Sequence, residues 1–274
     1  MDILEAIEKE GKRRRYSSKT IKTYQNCIKI FFRKYKKEPK KITKKDIREF
    51  LEKLAEKNRS GNTINVYLNS LKFFFEDILG KKMKLNIKYS KTPQKLPIIL
   101  TKEEIKRLFS AIENPTHKLM IQLLYSAGLR VSELVNLKIE DLEIDNGYGF
   151  VRKGKGNKDR IFIIADTLKE KIRKHIAKKK LNEYNYLFVS NRKNKYSIRS
   201  IQQIIKKAAR KAGINKKISC HTLRHSFATH LVEQGVTLNE IQAILGHKSP
   251  ETSLIYIHTY SPKLLNIKSP IDDL

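Results

Sequence analysis

Six residues in the second half of the sequence carry side chains that could together transfer a phosphoryl group: Arg130, Lys155, His221, Arg224, His247 and Tyr256. A phenol oxygen can attack phosphorus, guanidinium forks can hold two non-bridging oxygens, and an ammonium or imidazole can protonate the departing oxygen. Such a set can cut a phosphodiester without water or a metal ion, because the ester energy is kept in a bond to the side chain. A free phenol titrates near about 10 and is a poor nucleophile at neutral pH. Tyr256 therefore needs a cationic or basic setting, which Arg224, His221 and His247 can create.

Composition points to the partner. Fifty-nine Lys and Arg against 28 Asp and Glu leave a net charge of +31 on 274 residues, a field that draws in polyanions. The excess is spread out, with 27 basic and 11 acidic side chains in residues 1–97 and 32 and 17 in the rest, so both halves are expected to face phosphate. Enrichment in lysine by a hot habitat would also raise glutamate in ion-pair networks, and glutamate is not raised to match.

Other classes are disfavoured. Cys27 and Cys220 stand far apart with no CxxC pairing, so neither a disulfide framework nor a structural zinc site is indicated. His221 and His225 have the spacing of a helical zinc pair, but no HExxH pattern accompanies them. No apolar run of about 18 residues is present, and the opening MDILEAIEKEGKRRR is acidic first and basic later, unlike a secretory leader. The expectation is a cytoplasmic protein without membrane association, large enough for one or two cores without staples.

The elements that must position the six residues are mostly helical. Ile21, Tyr24, Ile28, Phe31, Phe32 and Tyr35 share one face of a predicted helix with a basic outer side. Thr43 and Asp46 mark the start of a second helix carrying Ile47, Phe50, Leu51 and Leu54, and a third runs from about Asn62 to Ile78. The aromatic side chains of these helices are read as core, not as base-stacking platforms. From Gly80 to Pro97 the chain is basic, aperiodic and proline-bearing, with no apolar stripe to bury, which predicts a linker.

Thr101 and Glu104 form a capping box for the next helix, and another begins near Thr116. Gly128 interrupts the pattern, with Arg130 at the junction before a fresh helix. Tyr148, Phe150 and Val151, the turn KGKGNK and the run IFII predict a β-hairpin with Lys155 at its basic, glycine-bearing tip, flanked by Lys153 and Lys158. Helices follow around 168–179, 198–213, 222–234, 238–245 and 253–265. His221 and Arg224, three apart, are placed on one face of their helix, and Leu223, Phe227 and Leu231 on the buried one.

The strings LPIILTKEEI, GLRVSEL, GKGNKDR, HTLRHSFATHL and IQAILGHKSPETSLIYIH, in this order, closely resemble the tyrosine recombinase (phage integrase) family, and specifically its Xer branch. The likeness covers the whole second half; the helical N-terminal part resembles that family's SAM-like core-binding domain by pattern and position. The resemblance implies a mainly α protein. Residues 1–88 would be the SAM-like helical domain, 89–97 a linker, and 98–274 a mostly helical catalytic domain with a small antiparallel β-sheet.

Carried over position by position, the resemblance makes Tyr256 the nucleophile, nine positions after His247, in preference to Tyr260 one helical turn later. Arg130 and Arg224 become the phosphate-clamping pair, Lys155 the general acid, and His221 and His247 complete the set. Glu133 is read as an orienter of the Arg130 region, and His225, His230 and His258 as structural or as supports behind the site residues. The resemblance further implies double-stranded DNA bearing a specific recombination site as partner and no cofactor or metal. It implies a monomer when free and four protomers on DNA, with the tail from about Ser261 to Leu274 docked on a neighbour.

The implied activity is site-specific strand exchange through a 3′-phosphotyrosyl link. The ending IKSPIDDL is similar to the archaeal Xer branch and suggests chromosome-dimer resolution at a dif-type site. An integrase of a virus or mobile element would share the chemistry, as would a type IB-like topoisomerase; a non-catalytic DNA binder would share only the charge.

Overall fold

The computed structural model describes residues 2–80, 85–92, 97–152, 159–190, 194–246 and 269–272. The chain divides into two compact units, Met1–Lys95 and Leu96–Leu274. The first is helical: α1 (Ile3–Arg13), α2 (Ser18–Lys34), α3 (Lys44–Glu56) and α4 (Gly61–Lys72), followed by a π-helical turn, Phe73–Ile78. Each α-helix starts where a short polar side chain can accept from an otherwise unpaired N–H. Asp2, Ser17, Thr43 and Ser60 do so, and Thr43 with Asp46 forms a full capping box.

The acidic-then-basic order at the N-terminus belongs to a helix: Glu5 lies in the first turn of α1 and Lys12 and Arg13 in the last, matching its dipole. Ile7 of α1 is buried with Ile28, Phe31, Ile47, Leu68, Leu71 and Phe74 in one apolar core. Phe31 is its hub, with ring contacts to Phe32, Tyr35, Phe50 and Phe75.

The helix expected to run unbroken to Ile78 changes pitch at Phe73. Phe73, Phe74 and Phe75 are all buried. An α-helix turns about 100° per residue and would swing three successive rings through about 200°. The wider π turn narrows that fan, so all three reach the core. The stretch after Gly80 is also held more closely than its composition predicts. Leu85 is buried, the Leu85 N–H donates to Glu76 (2.6 Å), and Ser90 and Asn65 exchange two hydrogen bonds (2.8 and 3.0 Å).

The second unit contains α5 (Lys102–Ser110), α6 (Pro115–Ser126), α7 (Val131–Asn136), α8 (Asp166–Lys179), α9 (Ile198–Lys211), α10 (Cys220–Glu233) and α11 (Leu238–Leu245). Its antiparallel sheet is β1 (Leu142–Glu143), β2 (Tyr148–Val151) and β3 (Arg160–Ile163), in the order β1-β2-β3. The register pairs Tyr148 with Ile163 and Val151 with Arg160. The predicted hairpin is therefore present, while its tip at residues 153–158 lies outside the described residues.

Helix α6 is buried at every residue from Leu119 to Ser126 and is the central rod of this core. It packs against α10, α8, α7 and α5, which fixes the segment that follows it, Ala127 to Arg130. The predicted helix at 253–265 lies outside the described residues. The expected place for the tail is a neighbouring protomer; in the single chain its described residues are seated on their own unit. There Ile271 joins the core, Ser269 Oγ donates to the Ser126 carbonyl (2.8 Å), and Asp272 accepts from the Thr167 hydroxyl (2.9 Å). Among the described residues, no helix is long and apolar enough to cross a membrane.

Candidate active site

Three of the six sequence candidates, Arg130, His221 and Arg224, fall on described elements, and the two arginines meet. Arg130 is the N-cap of α7, directly after the tight turn at Gly128 and Leu129. Gly128 has φ +54°, and a Cβ there would lie 2.6 Å from Phe227 and 2.7 Å from Leu245. Only glycine combines that conformation with that close approach. The turn exposes the Gly128 carbonyl, which accepts from Arg224 Nη1 at 2.6 Å.

Arg224 comes from the middle of α10, whose Leu223, Phe227 and Leu231 are fully buried, as the sequence pattern predicts. The pairing of His221 and Arg224 on one polar face needs correction: His221 is exposed, whereas Arg224 is 5% exposed. Three residues on an α-helix subtend only about 300°, leaving the two side chains offset by some 60°, enough to separate surface from interior here. Arg224 Nη2 donates to the carbonyl of Leu245, the last residue of α11. Burial, with repulsion from Arg130 and Arg160, pushes the Arg224 guanidinium down to about 9, which leaves it cationic at neutral pH.

Arg130 reaches the same place. Its Nη2 donates to the Gly246 carbonyl at 3.3 Å, and its Nη1 to Glu133 Oε1 at 2.6 Å. Glu133, three residues on, also accepts from the backbone N–H of Arg130 at 2.8 Å, so one carboxylate caps α7 and aims the arginine. The expectation that Glu133 orients Arg130 thus has a geometric basis. Burial alone would raise the Glu133 carboxyl; the Arg160 charge and the bonds from Arg130 outweigh it and hold the carboxyl below its usual value.

Arg160 is the residue that sequence reasoning missed. It is 8% exposed, and its Nη2 donates to Glu133 Oε2 at 2.7 Å and its Nη1 to the Ile244 carbonyl at 2.6 Å. In the sequence it reads as one more charge of a basic hairpin. The available signal was strand alternation: Arg160 and Phe162 share a face of β3, and Phe162 is 1% exposed.

Consequently the carbonyls of Ile244, Leu245 and Gly246 accept from Arg160, Arg224 and Arg130 respectively. Gly246, at φ +61°, ends α11 in a left-handed cap. The C-terminal pole of a helix carries partial negative charge, so three guanidiniums are well placed there. The same donors can hold phosphate oxygens. His247, Lys155 and Tyr256, with Tyr260 and His258, lie outside the described residues. Of the remaining histidines, His230 is buried with its Nδ1 2.8 Å from the Tyr125 hydroxyl, and His225 is exposed. Among the described residues no group of three or more His, Cys, Asp or Glu is placed to hold a metal ion.

Residues 99–262 match the phage integrase family, and residues 3–85 its N-terminal SAM-like domain. A tyrosine recombinase XerA of Pyrococcus horikoshii is 41% identical over 93% of this chain and 88% of its own length. The crystal structure of a XerA recombinase superposes with a TM-score of 0.53 at 32% identity, covering 96% of this chain and 98% of that one. A XerH site-specific recombinase bound to a palindromic difH substrate, in a post-cleavage complex, gives 0.69 at 27% identity over 94% and 82%. The chain belongs to the tyrosine recombinase (phage integrase) family, in its Xer branch, a family of enzymes that recombine DNA at specific sites.

Proposed function

We propose that this enzyme cuts and rejoins double-stranded DNA through a phosphotyrosyl link at Tyr256. The observation that carries the reading is the convergence of Arg130 and Arg224 on the adjacent carbonyls of Leu245 and Gly246, one residue before His247. Two cationic forks side by side match a phosphorane with charge on two non-bridging oxygens, and such preorganised donors are worth about 3–4 kcal/mol each in similar sites.

In the proposed reaction the Tyr256 phenol gives up its proton to the basic setting of His221 and His247, and its oxygen bonds to phosphorus as the bond to the 5′ oxygen breaks. Lys155 protonates that oxygen, with His221 and His247 completing the anion site. The 5′ hydroxyl of another strand then gives its proton to Lys155 and attacks the 3′-phosphotyrosine, restoring the phosphodiester and releasing the phenol, which regains its proton. Bond energy is conserved through both steps, so the proposed cycle calls for neither ATP nor a metal ion.

The substrate is proposed to be a chromosomal dif-type site and the purpose the resolution of chromosome dimers. Support comes from the XerA relatives and from the likeness to XerH on its difH substrate. Residues 1–88 and 98–274 are assigned as core-binding and catalytic domains around a short linker, acting in the cytoplasm. The protein is proposed to be a monomer when free and a tetramer on DNA.

A nicked duplex carrying a dif-like sequence tests the core of this reading. The wild-type chain is expected to form a covalent protein–DNA adduct that survives a chelator and disappears in Tyr256→Phe. An undiminished adduct in that variant removes Tyr256 as nucleophile.

A further inference from the structure

We propose that Arg160 is a positioning residue for strand transfer, locking the Arg130–Glu133 corner to the C-terminal end of α11. The proposal rests on the function assigned above. Arg160 is the first residue of β3, in the strand pair nearest the hairpin tip, opposite Val151, and its guanidinium spans two elements of the fold. One amino group holds Glu133, which holds Arg130; the other holds Ile244, beside the carbonyls that engage Arg224 and Arg130.

Packing alone does not account for this residue. A buried guanidinium is costly, and an apolar side chain of similar volume would fill the space without that cost. Its Nε is buried without a hydrogen-bond partner, so even the present arrangement leaves one donor unmet. Room has also been kept for it: a Cβ at Gly246 would lie 2.6 Å from Arg160 Cδ. What an arginine adds is a planar fork that holds two acceptors at a fixed separation, which a lysine cannot do with its single nitrogen.

The arrangement has a consequence for the reaction. If Arg130 turns from Glu133 towards a phosphate, Glu133 keeps a buried cationic partner in Arg160, so the corner need not reorganise as charge develops. In sequence, Arg160 also stands five residues after Lys155, and Ile244 three before His247. One side chain therefore ties down the roots of three parts of the proposed site.

The test compares the full-length wild-type chain with Arg160→Lys and Arg160→Met, using the free protein and a nicked dif-like duplex. Amide hydrogen exchange over 238–246 is expected to quicken in both variants while that of α1 to α4 stays unchanged. Adduct formation is expected to slow roughly 10- to 100-fold, the scale on which partners that orient a site's ligands act, with duplex affinity unaltered and no rescue by lysine. Combined with Arg130→Ala, Arg160→Lys is expected to add little further slowing, because both act through one corner.

Wild-type exchange in the variants, a wild-type adduct rate in Arg160→Lys, or full multiplication of the two defects overturns the proposal. Should Arg160→Met fail to fold, Arg160→Lys carries the same measurements. If the wild-type chain forms no adduct, the function assigned above fails, whereas the exchange comparison still decides whether Arg160 positions α11.

Discussion

The two units of this chain bury different chemistry. In the N-terminal unit the interior is aliphatic and aromatic, built on Phe31, Phe50 and Phe73 to Phe75, and its ion pairs, such as Lys12 with Glu8 and Lys53 with Glu49, stand at the surface, except that Asp46, 8% exposed, caps α3 and reaches out to the half-exposed Lys37. In the catalytic unit an apolar core of comparable quality surrounds charges: Arg224, Arg160 and Glu133 are each 8% exposed or less. Hydrophobic burial stabilises without direction, whereas buried charge is justified by where it points. The first unit is built as a scaffold presenting a basic surface, and the second holds cations rigid beside a helix end.

The sharpest way to break that contrast is at the two centres. Phe31→Ala should destabilise the N-terminal unit by about 3–5 kcal/mol, from lost transfer energy and a residual cavity. With no Trp in the chain, circular dichroism melts and unit-resolved hydrogen exchange are suitable measurements. An intact N-terminal unit in this variant would show that its aromatic cluster is not the core.

Arg224→Ala should act in the opposite manner, lowering the rate of adduct formation by about 10²–10³-fold through loss of a preorganised donor. It also strands the Gly128 and Leu245 carbonyls, so quicker exchange at the α11 end should accompany the loss of rate. A rate near that of the wild type would remove Arg224 from the clamp.

Acid separates the units more gently. Glu133 is held below the usual carboxylate value, so its contribution to stability is present above the unfolded pKa of about 4.3 and is lost as pH falls through the depressed folded value. Asp46 is likewise held down, to about 2, chiefly by its bond from Lys37, with the same sign. Hydrogen exchange between pH 5 and pH 3 should show both units weakening, and Glu133→Gln should flatten the acid dependence of the catalytic unit only. An equal effect on both would contradict the separation. The smallest effect belongs to Thr43→Ala, which removes the cap of α3 at about 1 kcal/mol and should leave the adduct rate per bound DNA unchanged.

Much of the fold was legible because it depends on local signals. Capping boxes at Thr43 and Thr101, the apolar spacing of α2 and the alternation around the KGKGNK turn are properties of neighbours in sequence. Departures arose where several parts of the chain compete for one core. The end of α4 passes into a π turn where three successive phenylalanines are all buried, and Leu85, in the stretch after Gly80, joins the core of the first unit. The start of α1 is written locally too, in the cap Asp2, the apolar Ile3 and Ile7 and the polarity of its charges.

At the site, residue types and motif order were enough to propose Arg130 and Arg224 for phosphoryl transfer, because that chemistry demands few kinds of side chain. They were not enough to place Arg224 inside and His221 outside on one helix, nor to distinguish Arg160 from the other basic residues of its hairpin. Those distinctions depend on distances between segments far apart in sequence: residue 160 against 133 and 244, and residue 224 against 128 and 245. The sequence by itself determined the family, most of the elements and the chemistry to propose; the tertiary structure decided which cations are buried, because burial and hydrogen-bond partners exist only once α6, α10, α11 and the sheet have packed.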